Sequence, residues 1–110
     1  MARILLFDPD QDHARTLVSA LEHNSYTLTV CASRVETLDH LKAKLAQFKV
    51  VILDFSNRPE DWELLERVCT FSITCVPKPG ILCLARTNWG SDVKLKVERK
   101  GARLLYERSA

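Results

Sequence analysis

Two unbroken aliphatic runs, each closed by an aspartate, set the strongest limit on what this chain can become. Ile4-Leu5-Leu6-Phe7 runs into Asp8, and Val50-Val51-Ile52-Leu53 runs into Asp54. A strand with one wet face alternates apolar and polar side chains. A run that is apolar at every position has to be covered on both faces, which is how strands of a parallel sheet sit. In open α/β sheets the carboxyl ends of the strands line the crevice in which ligands bind. Two carboxylates at such ends, on strands able to be neighbours, suggest a small cation site or a phosphoryl acceptor.

The rest of the chain supplies the elements that such a sheet needs. Arg3–Phe7 is the first strand. Ala14, Leu17, Val18 and Leu21 then recur at helical spacing, behind a first turn enriched in acid by Asp10 and Asp12. Tyr26–Cys31 alternates like an edge strand. Ser33 and Glu36 match a capping box for a second helix carrying Val35, Leu38, Leu41, Leu45 and Phe48 inward. Val50–Asp54 is strand three. Pro59, Glu60 and Asp61 open a third helix with Trp62, Leu65, Val68 and Cys69 on its inner stripe. Residues 72–80 hold two prolines and a glycine and read as a connector. Ile81–Ala85 and Ala102–Tyr106 are strands four and five. Residues 92–100 fit two patterns: a short helix stopped by Gly101, or a strand in which Val93, Leu95 and Val97 alternate with lysines. Helix is preferred, because a parallel fifth strand needs a crossover. The expected fold class is α/β, a three-layer, doubly wound, parallel five-stranded sheet.

Size and composition bound the function. The 110 residues, 46% of them apolar, suit one domain with one core spanning 1–110. No apolar run approaches the ~18 residues of a membrane span. Met1-Ala2-Arg3 enters a strand at once, leaving no room for a signal peptide, so the cytoplasm is the expected location and no membrane partner is expected. Cys31, Cys69, Cys75 and Cys83 form no C-x-x-C pair and read as small buried thiols. His13, His23 and His40 read as solvent-facing, with no metal-pair spacing to a cysteine or carboxylate. Residues 1–85 carry nine Lys/Arg against eleven Asp/Glu, and residues 86–110 carry seven against three. The basic cluster Lys94, Lys96, Arg99, Lys100 and Arg103 has no interleaved aromatics, so it reads as a solvated helix face and not as a nucleic-acid interface. Glycine-rich phosphate loops are missing, and Ser56 lacks the flanking glycines of a nucleophile elbow, so no enzyme is expected.

The order of elements, with acids after strands one and three, resembles the receiver domain of bacterial response regulators. The stretches Arg3–Asp8, Val51–Phe55 and Gly101–Tyr106 carry that resemblance, the last being similar to the start of a receiver's fifth strand. The resemblance implies strand order 2-1-3-4-5, with Asp8 and Asp54 side by side. It implies that Asp54 is the phosphoryl acceptor for a histidine kinase, and that Mg²⁺ is held by Asp8, Asp54 and the nearby Asp10. The hydroxyl at the end of strand four falls on Ala85, or on Thr87 after a slip of two. The strand-five lysine falls on Arg108, and Ser109 replaces the usual proline. Pro9 removes one acid of the metal-binding pair, which weakens Mg²⁺ binding without abolishing it, since Mg²⁺ accepts water ligands.

The chain ends at Ala110, where receivers have a fifth helix, so the expected fold lacks that helix and leaves one face of strands four and five bare. A patch of that kind marks an interface, here expected to join two copies of the chain or to dock a partner. Two functions stay open: an atypical stand-alone receiver in two-component phosphorelay signalling, acting through protein contacts, and a phosphorylation-independent interaction module.

Overall fold

The structure, a computed structural model, describes residues 2–44 and 47–107. Nine elements follow the order β1 (Arg3–Phe7), α1 (Gln11–Glu22), β2 (Thr27–Cys31), α2 (Arg34–Lys44), β3 (Val50–Asp54), α3 (Pro59–Ser72), β4 (Gly80–Ala85), α4 (Ser91–Arg99) and β5 (Arg103–Tyr106). The strands form one sheet in the order β2-β1-β3-β4-β5. All four pairings are parallel. The runs that are apolar throughout are the buried ones: Leu5, Leu6, Phe7, Val51 and Leu53 are all at most 2% exposed.

One core layer lies between the sheet and α2, α3 and α4. Leu5, Phe7, Val51, Leu53, Ile81, Cys83 and Leu104 from the strands meet Leu41, Leu64, Leu65, Val68 and Val97 from the helices. α1 takes the opposite face, where Ile4, Leu6 and Ala14 are buried. Beyond α1 no described element covers that face. Leu82 and Leu84 of β4 are only half-buried, and Leu105 of β5 is 45% exposed. The described residues contain four helices, and none is long and apolar enough to cross a membrane.

One open choice is settled as preferred, and two local expectations change. Residues 91–99 are helical, not a strand: Val93 and Val97 lie four apart and pack on the core while Leu95 points out at 48% exposure. Gly101, with φ +97, takes the left-handed turn that ends the helix and starts the crossover to β5. On α2 the inward stripe includes Thr37, fully buried with its hydroxyl donating to the Ser33 carbonyl, whereas Val35 is 69% exposed. Ser33 sets that register by accepting from the Glu36 amide, while the Glu36 carboxylate reaches the Ala32 amide, one residue short of a closed capping box. Leu45 lies outside the described residues. On α3 the inner face is Leu64, Leu65, Val68, Cys69 and Ser72, with Trp62 at its edge against the Phe55 ring, 5.1 Å between centroids.

Candidate functional site

Phe7 and Leu53 are register partners on adjacent strands, so the residues that follow them, Asp8 and Asp54, emerge at one rim of the sheet. Their environments differ sharply. The Asp8 backbone amide donates to the Cys31 carbonyl, continuing the β1–β2 ladder by one bond. The residue is 2% exposed. One carboxylate oxygen accepts from the Asp10 amide at 2.9 Å, and the other pairs with Nδ1 of His13. The far nitrogen of that ring, Nε2, meets Glu107 at 2.5 Å. Glu107 is held at the end of β5 by its own amide donating to the Ala85 carbonyl. His13 is therefore not a solvent-facing histidine. Its side chain is 15% exposed and clasped between two carboxylates from opposite ends of the chain. Burial works against its protonation, but the hydrogen bonds to Asp8 and Glu107 outweigh that and raise its pKa above the usual 6.5.

Asp10 is also engaged. It caps α1, one oxygen accepting from the amides of Asp12 and His13. Its other oxygen pairs with Arg86 at 3.2 Å. The His13 amide and Arg86 favour its charged form and lower its pKa. Asp54 is different: among the described residues its carboxylate accepts no hydrogen bond. Half-buried, it has a raised pKa, first from burial, then from the charges of Asp8 and Asp61, with Arg86 and His13 opposing. It opens into a cavity of about 260 Å³ that Arg34, Arg58, Arg86, Asp61 and Thr87 also line. Trp89, 36% exposed, stands at the edge of that cavity, in the loop after β4.

Asp61 shapes the far wall. It is 4% exposed; one oxygen accepts from Arg34 at 2.8 Å, the other from the amides of Ser56 and Arg58. Arg34 also lies over the Phe7 ring, 5.5 Å from its centroid, and its Nε is buried with no partner among the described residues. One carboxylate thus ties the β3–α3 loop to the start of α2.

The sequence reading placed Asp8, Asp10, Asp54 and Thr87 here, and the structure brings all four to one rim. Arg108 and Ser109 lie outside the described residues. The reading missed His13, Glu107, Arg86 and the Arg34–Asp61 pair. A spacing signal existed for one contact only: Asp8 and His13 flank a capped helix start. As a Mg²⁺ site the rim fits poorly. Mg²⁺ needs near-octahedral oxygen ligands, yet both oxygens of Asp8 and of Asp10 are committed and only Asp54 is free. The His13 imidazole, with its raised pKa, and Arg86 stand where a divalent ion would bring positive charge.

No family model matches the chain, and no curated protein is significantly similar to it in sequence. A response regulator receiver domain protein from Clostridium thermocellum superimposes with a TM-score of 0.83 over 100% of this chain and 85% of its own, at 20% identity. A two-component response regulator from Clostridium difficile gives 0.81 over 100% and 86%, at 18% identity. The chain has the receiver-domain fold. A CheX–CheY–BeF3–Mg²⁺ complex from Borrelia burgdorferi superimposes with a TM-score of 0.83 at 13% identity, over 99% of this chain and 80% of that one. At such low identities the likeness concerns the receiver fold alone, and the side chains at the rim have to be judged on their own chemistry.

The cysteines add nothing to this rim. Cys31, Cys69 and Cys83 are buried and Cys75 half-buried, all unpaired. Burial pushes the Cys83 thiol up to about 12, which makes it inert as a nucleophile.

Proposed function

We propose that residues 1–110 work as one atypical receiver module of two-component signalling, acting through contact with a histidine kinase or another signalling protein in the cytoplasm and catalysing no reaction of its own. The observation that carries this reading is the free Asp54 carboxylate, set beside Asp8 at the rim of the sheet and facing a cavity ringed by three arginines. Asp54 is the candidate acceptor. One of its oxygens would attack the phosphorus of a phosphohistidine, the P–N bond would break, and the leaving ring would keep the electron pair. Arg86 and protonated His13 lower the cost of the new negative charge. Thr87 lines the same cavity and can donate its hydroxyl, and Arg108 is the further candidate for pairing with the phosphoryl charge. Mg²⁺ at Asp8, Asp10 and Asp54 would have to compete with His13 and Arg86 for two of its three carboxylates, so its contribution is weak.

The second reading, a phosphorylation-independent contact module, is favoured by the His13 clasp, which already satisfies Asp8 without any ligand. One experiment separates the two. Beryllofluoride with Mg²⁺ is added while Trp89 fluorescence and the amide resonances around Asp54 are followed. A response in the native protein that disappears in Asp54→Ala supports the acceptor; silence in both proteins sinks it and leaves the contact module.

Association is part of the proposal. Leu82, Leu84 and Leu105 form an apolar strip on the open face of the sheet. A two-fold pairing of copies would set this strip against itself and bury it on both sides. Sedimentation at micromolar concentration is expected to show a dimer, and Leu105→Lys a monomer. A native protein that runs as a monomer across that range defeats the idea.

A further inference from the structure

Beside the acidic rim, at the β2 edge of the sheet, three side chains of different ligand chemistry converge. Cys31 closes β2 and is fully buried. Glu36 and His40 sit four residues apart on α2, which puts their side chains on one flank of the helix. The link between β2 and α2 is only two residues, Ala32 and Ser33, so strand tip and helix start are held at short range. One ligand atom from each of the three, the Cys31 sulfur, a Glu36 oxygen and a His40 ring nitrogen, lies within 4.8 Å of the other two. Among the described residues this is the one such trio. The carboxylate is held over the strand tip by accepting from the Ala32 amide at 3.3 Å. The three grade from core to surface: Cys31 buried, His40 half-buried, Glu36 exposed. An ion can therefore enter from the Glu36 side while its innermost ligand stays shielded.

We propose that Cys31, Glu36 and His40 bind a thiophilic divalent cation of the Zn²⁺ class, with water as fourth ligand. The donor set decides the metal. Thiolate and imidazole select Zn²⁺ over Mg²⁺ and Ca²⁺, which take oxygen ligands. Zn²⁺ bonds of roughly 2.0–2.3 Å put tetrahedral ligands about 3.3–3.8 Å apart. The spread of up to 4.8 Å then closes by roughly 1–1.5 Å, within reach of side-chain rotation on the α2 flank. On binding, the Cys31 S–H bond breaks, its proton goes to water and the sulfur lone pair bonds the metal. Three protein ligands and one water make an exchangeable site, not a closed structural one. The site also adjoins the acidic rim through the backbone, since the Cys31 carbonyl accepts the Asp8 amide at 3.0 Å. The inference is independent of the receiver reading and stands or falls separately.

The test is a titration with Co²⁺, then displacement by Zn²⁺, in the presence of excess Mg²⁺ to occupy any oxygen site. The expected result is one equivalent of cobalt with a sulfur-to-metal charge-transfer band and the intense visible bands of tetrahedral cobalt, both erased by Zn²⁺. Cys31→Ser is expected to abolish the charge-transfer band. His40→Gln and Glu36→Gln, at positions outside the core, are expected to weaken binding by more than the roughly hundredfold that loss of a supporting hydrogen bond costs a metal site. Asp54→Ala is expected to leave the titration unchanged. Weak octahedral absorption alone, a thiolate band that survives Cys31→Ser, or affinity unaltered in His40→Gln would each overturn the proposal. If Cys31→Ser does not fold, the two helix variants decide it.

Discussion

His13→Ala is expected to destabilise the protein by about 3 kcal/mol, the scale for stripping one partner from a buried ion pair. The cost falls mainly on Asp8. It is 2% exposed, and the variant leaves it with only the Asp10 amide as a hydrogen-bond donor, facing Asp54 and Glu107 with the imidazole gone and Arg86 the remaining cation nearby. The native protein should also carry a pH signature that the variant lacks. The pKa of His13 is raised in the folded state, so its stabilising contribution is complete below the ordinary value of 6.5 and fades as pH climbs through the higher folded-state value. Urea unfolding from pH 5.5 to 8.5 reads both effects at once. Native stability that is flat over that window, or equal to that of His13→Ala at pH 6, would falsify the clasp. In the variant Asp8 is free to accept a metal, so Mg²⁺ is expected to raise the melting temperature of His13→Ala more than that of the native protein.

Asp61→Ala is expected to cost a similar amount, about 3–4 kcal/mol, for a different reason. The substitution removes the one carboxylate paired with Arg34 among the described residues and leaves the amides of Ser56 and Arg58 without their acceptor. Arg34 already has one buried nitrogen without a partner, so little else can absorb the loss. The damage should concentrate in the β3–α3 loop, where Asn57 holds φ +57 and accepts a 2.7 Å bond from the Trp62 indole. Adding Arg34→Met should recover part of the stability, since an apolar side chain there no longer needs a counter-charge. Amide exchange at residues 55–58 that is no faster in Asp61→Ala, or a loss below about 1 kcal/mol, would argue that the loop is held by something else.

The sheet was readable because its signals are short-range. The two aliphatic runs predicted Arg3–Phe7 and Val50–Asp54 to the residue, and both are interior strands, β1 buried on both faces and β3 buried on one and half-buried on the other. Ile81–Ala85 and Ala102–Tyr106 were each off by one residue at the start. Residues 92–100 carried two periodicities, and no count of apolar positions could choose between them. The parallel direction of β5 chose, because only a crossover returns the chain to the same edge. On α2 the pattern pointed to Val35, yet Thr37 is the buried residue. The Ser33 cap fixes where that helix starts, and Thr37 then shares its buried side with Leu41.

At the rim the division is sharper. That Asp8 and Asp54 share it follows from the sequence, once two doubly covered strands are accepted as neighbours. What each carboxylate does there does not. Asp8 is satisfied by a histidine on the next helix and, beyond it, by Glu107, which stands 94 residues from His13 in sequence. Asp10 is drawn off by its helix cap and by Arg86, 76 residues away. By itself the sequence determined the alternation of elements, the parallel sheet and the end of it on which acids gather, because apolar periodicity acts between near neighbours. Only the tertiary structure decided which charge meets which, because an ion pair depends on where distant chain segments end. Here the end of β5 lands beside the first turn of α1, and the His13 ring bridges the two acids.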